Sequence, residues 1–199
     1  MIYHYPTRTL IVTPPKTGSS SLHHALCTQR GFYYVLAMAQ WGRVSKHCSL
    51  DELGNEPPEF SEVHDRRTVL TVRHPTRRLI SMYRHHLGYG EFSGCFEKWV
   101  EAREHDGGGV KWLRSCHSHL CGRKADGVIH TETLDQDLGL LGLPPTRKRI
   151  NQARVADDAD INLAAEVART WWPDDFVYYD DQLPQAASPN ASVPEGEVP

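Results

Sequence analysis

Residues 16–21 read Lys-Thr-Gly-Ser-Ser-Ser, so one lysine, one glycine and four hydroxyl side chains share six consecutive positions. The chemistry common to those types is anion binding. Lys16 brings a full charge on a flexible stem. Gly18 lets the backbone come close to a ligand. Thr17, Ser19, Ser20 and Ser21 add hydroxyl donors. A second set follows at Arg73 and Ser81, eight residues apart. A guanidinium grips a phosphate with a planar fork, which a lysine cannot do. A third candidate is His47, in Trp-Gly-Arg-Val-Ser-Lys-His. Imidazole changes charge near neutrality and can accept a proton.

These groups need a scaffold. Residues 9–13, Thr-Leu-Ile-Val-Thr, predict a short buried strand. A helix follows, with Ser19 or Ser20 as its expected cap and Leu22, Ala25 and Leu26 as its core face. A strand, a small-residue turn and a helix N-terminus together make an anion site, because backbone N–H groups and the positive end of the helix converge there. Residues 32–36 and 68–72 predict further strands. Pro75 suits the first turn of a helix whose buried stripe is Leu79, Ile80, Tyr83 and Leu87. Residues 95–104 and 110–120 read as helical, divided by three glycines at 107–109. A strand at 127–132 leads to a helix with Gly142 near its C-cap. Ile161, Ala164, Ala165, Ala168, Trp171 and Trp172 give an amphipathic helix over 159–172. The alternation of strands and helices predicts a single α/β domain over 1–182. Its central, mostly parallel sheet is flanked by helices and carries a phosphate site of P-loop-like strand–loop–helix form. Ligands of such sheets sit beyond the strands' C-terminal ends, where the Lys16 and Arg73 loops both fall. The acidic, proline-rich stretch 183–199 reads as a disordered tail.

Composition narrows the function classes. A length of 199 residues suits one domain with a full core. The net charge of −3 argues against a nucleic-acid partner. No apolar run has bilayer-spanning length, and the N-terminus lacks a signal-peptide pattern, so no membrane segment and a cytoplasmic location are expected. Five cysteines without framework spacing then read as reduced thiols. Twelve histidines weaken the case for any single one as a chemical group.

The loop is not a nucleotide-triphosphate loop of the GxxxxGK[ST] type, since no glycine opens it and Lys16 precedes Gly18. Pro-Lys-Thr-Gly-Ser-Ser-Ser instead resembles the 5′-phosphosulfate loop of sulfotransferases, which use 3′-phosphoadenosine-5′-phosphosulfate (PAPS) as sulfuryl donor. Residues 71–87 resemble that family's 3′-phosphate element, with Arg73 and Ser81 at the family's separation. Residues 130–145 resemble its later strand, acidic turn and helix ending Leu-Gly-Leu-Pro. The resemblance covers roughly residues 9–180. His74 stands where the family more usually has an acidic or amide residue. The chain is short for the family, and no Golgi signal anchor is expected ahead of the domain.

The resemblance implies a PAPS-dependent sulfotransferase of the carbohydrate O-sulfotransferase kind. It implies donor binding by Lys16, Thr17, Gly18, Ser19, Ser20, Ser21, Arg73 and Ser81, with 3′,5′-ADP as product and no metal. The acceptor is expected to be a small-molecule or oligosaccharide hydroxyl. Lys16 would stabilise the departing phosphate. His47 is the candidate base, on the likeness of its segment to a Trp-containing loop before a histidine in carbohydrate 6-O-sulfotransferases. His23 and His24 are the alternatives. Asp51 and Glu52 read as ordinary first-turn acids, with an acceptor-site role as the other use. Cys116, His117, His119 and Cys121 are too closely spaced for a tetrahedral zinc site and are expected to pack on a helix. Arg147 and Arg149 are weaker anion candidates in a basic run. Two rival functions are a nucleotide-dependent phosphotransferase and a non-catalytic nucleotide-binding module. A phosphotransferase would want a strand-end Asp for Mg²⁺, where this sequence has Arg73.

Overall fold

The computed structural model describes residues 1–34, 37–38, 44–45, 47–53, 67–105, 114–146 and 160–179. Seven strands and six α-helices form there: β1 (Ile2–His4), β2 (Thr9–Val12), α1 (Ser19–Leu26), β3 (Phe32–Tyr34), β4 (Ala37–Met38), β5 (Val44–Ser45), α2 (Leu50–Leu53), β6 (Arg67–Val72), α3 (Pro75–Gly88), α4 (Phe96–His105), β7 (Gly127–His130), α5 (Leu134–Leu140) and α6 (Ile161–Trp171). The main sheet has the order β3-β1-β2-β6-β7, and β4 and β5 pair separately. β2, β6 and β7 are parallel neighbours, in register at Val12↔Leu70 and Val72↔His130. β1 pairs antiparallel with both β2 and β3 at the other edge. The molecule is therefore α/β, and its parallel half carries the loops of interest.

The strands alternate as a covered sheet requires. Leu10, Val12, Leu70 and Val72 face one core with Met1, Tyr3, Cys116 and Leu120. Ile11, Val69 and Ile129 face the other, against Leu22 and Leu26 of α1 and Leu134 and Leu138 of α5. A third cluster joins α3, α4 and α6 through Leu79, Tyr83, Phe96, Trp99, Ala164 and Ala168.

Several expectations shift. The helix at residue 19 is capped by Gly18, not by a serine side chain: Gly18 has φ 78° and no side-chain cap bond forms. Its buried face includes His23, while Ala25 is half-buried. The strand expected at 32–36 is Phe32–Tyr34, and residues 35–36 lie outside the described set. Residues 114–116 are irregular and His117–Leu120 form a single 3₁₀ turn, where a helix was expected; 110–113 lie outside the described residues. Asp175 explains that local shape, because its carboxylate takes the backbone N–H groups of Cys116 and His117. The tail 183–199, Arg147 and Arg149 also lie outside the described residues. Among the described residues no helix is long and apolar enough to cross a membrane.

Candidate functional site

The loop after β2 is built by backbone geometry and a hydroxyl staple. Lys16 takes φ 66° and Gly18 φ 78°, two left-handed residues with one residue between them. For lysine that conformation costs roughly 1 kcal/mol and persists only where neighbours impose it. Turns of this kind direct successive N–H groups to one side and favour anions. The Thr17 hydroxyl donates to the Pro14 carbonyl at 2.7 Å and lies 2.7 Å from the Thr71 hydroxyl of β6. Since Thr17 has given its proton to Pro14, Thr71 is the donor across that pair, and it shares its proton with the Val12 carbonyl at 3.2 Å. Thr17 is thus fully buried and holds the loop to the neighbouring strand. What it can offer a ligand is its backbone N–H. Ser19 and Ser21 are buried and Ser20 is half-buried. A Cβ on Gly18 would stand 3.4 Å from the Thr131 methyl, so the loop also lies against the end of β7.

Arg73 leaves the end of β6, and its Nη1 donates to the Lys16 carbonyl at 3.5 Å. The two motifs, 57 residues apart, therefore meet. Burial holds the Arg73 guanidinium below its ordinary value; Glu132 opposes this, and Arg77 and Arg84 add to it. Pro75 opens α3 as expected. The His74 N–H donates to Glu132 Oε1 at 3.1 Å, and the Tyr179 hydroxyl donates to Glu132 Oε2 at 3.2 Å. Glu132 thereby ties β7, the start of α3 and the C-terminal turn together beside Arg73. Ser81 is half-buried on α3, in one row with Arg77 and Arg84 at spacings of four and three.

His47 lies at the end of β2. Its Nδ1 is 2.7 Å from the Thr13 carbonyl, which can only accept, so Nδ1 carries the proton and Nε2 is the basic nitrogen of the neutral ring. His23 Nε2 is 3.5 Å from the Thr13 hydroxyl, beneath the same strand end. His24 is exposed. Glu52 caps its own turn: Oε2 accepts from the Ser49 N–H at 2.6 Å and the Ser49 hydroxyl at 3.1 Å. Asp51 is exposed. Lys16 joins Arg103 and burial in lowering His86 from its ordinary value, with burial the largest cause and Glu91 opposing.

The Cys-His cluster is part of the core. Cys116 is fully buried, and burial pushes its thiol well up. His119 is buried too, its Nδ1 donating to the Ser115 carbonyl at 3.0 Å, and burial followed by Arg78 lowers it to about 4. His117 Nδ1 pairs instead with the Tyr178 hydroxyl at 3.0 Å. Among the described residues no group of three or more His, Cys, Asp or Glu can hold a metal.

Sequence reasoning passed over Thr71, Glu132, Arg78 and Asp175. Arg78 carried a usable signal: with Pro75, Leu79 and Met82 it falls on the buried face of α3 at helical spacing. Asp175 and Glu132 carried none, because their partners are distant in sequence. No family model, curated protein or solved structure matches this chain.

Proposed function

We propose that this protein is a sulfotransferase that moves the sulfuryl group of PAPS to a hydroxyl, a carbohydrate hydroxyl being the acceptor that the resemblance implies. One observation carries the reading: the Lys16 loop and Arg73 emerge from adjacent parallel strands and meet through the Lys16 carbonyl. A donor with phosphate at both the 5′ and 3′ positions calls for two cationic elements side by side. Lys16, the N–H groups of residues 17–19 and the start of α1 suit the 5′ group. Arg73 and Ser81 suit the 3′-phosphate.

In the transfer, the acceptor oxygen forms a bond to sulfur as the bond from sulfur to the bridging oxygen breaks. The acceptor's proton passes to His47 Nε2, and the electron pair leaves with 3′,5′-ADP. Lys16 stabilises the charge that grows on the bridging oxygen. His47 fits the base because its Nδ1 is committed to Thr13, which orients the ring and leaves Nε2 as the proton acceptor.

The first test is ligand-induced thermal stabilisation, which follows binding to the folded state. The donor reading expects 3′,5′-ADP to raise the melting temperature more than ATP with Mg²⁺; the reverse order would favour a phosphotransferase. The second is turnover with labelled PAPS and a panel of sugars. His47→Ala should lower the rate roughly 10²- to 10⁴-fold with 3′,5′-ADP affinity nearly unchanged. Donor binding without turnover on any acceptor would leave a nucleotide-binding module, and a His47→Ala enzyme with near-normal rate would move the base elsewhere.

A further inference from the structure

Arg78 is fully buried and stands outside the donor contacts described above. Each of its three side-chain nitrogens donates a hydrogen bond. Nε donates to the Pro15 carbonyl at 3.1 Å, Nη1 to Asp175 Oδ2 at 3.2 Å, and Nη2 to the Arg114 carbonyl at 2.8 Å. The Trp172 ring lies 4.5 Å from its central carbon. Asp175, itself 2% exposed, is equally committed: besides Arg78 it accepts from the Cys116 and His117 N–H groups at 2.7 and 2.9 Å. A buried ion pair in which every guanidinium nitrogen and both carboxylate oxygens are engaged holds its geometry tightly, whatever its net contribution to stability.

Pro15 immediately precedes Lys16. A trans peptide is planar, so its carbonyl and the next N–H point in opposite directions. With the Pro15 carbonyl drawn to Arg78, the Lys16 N–H must point away from the buried pair. Lys16 then enters the left-handed region, and its own carbonyl meets Arg73. Two consecutive carbonyls of the loop are thus engaged by guanidinium groups from the β6–α3 unit.

We infer that Arg78, anchored by Asp175, is a positioning residue that sets the anion-binding conformation of the loop at 14–19. The inference rests on reading that loop as the donor site. Anion affinity then depends on a pair that never touches the ligand. The planar fork matters as much as the charge: a lysine at 78 can keep Asp175 company but cannot also reach Pro15 and Arg114.

The test compares wild type, Arg78→Lys and Trp172→Phe. Trp172→Phe perturbs the same core without changing the bond to Pro15. Three quantities are read: the Kd for 3′,5′-ADP by calorimetry, amide exchange of peptides covering 14–21 in the ligand-free protein, and the urea midpoint. If the loop in Arg78→Lys holds its binding conformation a tenth of the time, the Kd rises about tenfold. Loop exchange should quicken alongside, while Trp172→Phe lowers the urea midpoint with wild-type Kd and exchange. Should Arg78→Lys not fold, the double variant Arg78→Gln/Asp175→Asn removes both charges and keeps an acceptor for one of the Cys116 and His117 N–H groups; it should show the same rise in Kd. A folded Arg78 variant with wild-type Kd and loop exchange overturns the inference. If wild type binds no 3′,5′-ADP, the donor reading has failed by itself. The exchange arm then decides the clamp alone: quicker loop exchange in Arg78→Lys supports it, and unchanged exchange overturns it.

Discussion

Lys16 combines a strained backbone with the charge the proposed reaction needs. Its φ of 66° suits glycine better than lysine. Lys16→Ala should abolish transfer and leave the melting temperature close to wild type, because a half-buried loop lysine contributes little packing. Lys16→Gly should be equally inactive yet more stable than Lys16→Ala by roughly 1 kcal/mol in urea unfolding, since it relieves the left-handed strain. Turnover in either variant would remove Lys16 from the mechanism. Arg73 and Ser81 divide the donor differently. Arg73→Ala or Ser81→Ala should weaken 3′,5′-ADP and spare 5′-AMP, with a loss of about 1.5–3 kcal/mol for the arginine. Equal losses for both nucleotides in calorimetric titration would show that these residues shape the strand end instead.

At the scale of elements, the site is the seam between β2 and β6. Their parallel pairing brings Val12 opposite Leu70, and everything beyond those positions converges. The Thr17–Thr71 hydroxyl pair closes the seam where the strands stop. Thr71→Val keeps the shape and removes the donor. It should cost about 1 kcal/mol in urea unfolding, the usual net worth of one hydrogen bond. It should also weaken 3′,5′-ADP binding, since Thr17 would then be held to its own loop alone. An unchanged Kd would mean that Pro14 and the two arginines suffice to hold the loop.

The whole molecule buries a histidine that acid must charge. His119 is lowered to about 4 in the folded state, against 6.5 for an unperturbed histidine. As pH falls below 6.5 the unfolded chain takes up a proton that the folded chain refuses, so stability declines until about pH 4, where both states are protonated. At about 1.4 kcal/mol per unit, this one group accounts for a loss on the order of 3 kcal/mol. His4 and His86, also lowered, act in the same direction. Urea midpoints measured from pH 7 to pH 4 should therefore fall, and His119→Gln should flatten the decline. A variant with the same slope as wild type would place the acid sensitivity elsewhere.

Local pattern was enough for much of this. The apolar run at 9–13, Pro75 before the stripe of Leu79, Ile80, Tyr83 and Leu87, and Gly142 after α5 are statements about nearby residues, and each element formed close to its expected bounds. That residues 14–21 and Arg73 share one edge of the sheet followed from the α/β reading, whereas the adjacency of β2 and β6 that brings them together did not. What the tertiary structure decided was the use of each side chain. Thr17 turned inward to bond Thr71 of β6, and Glu132 gathered the His74 N–H and the Tyr179 hydroxyl. Arg78 and Asp175, 97 residues apart, found each other in the core. Such pairings depend on which surfaces pack together, and the free energy of burying a charge beside its partner is set by distant segments that no short window of sequence contains.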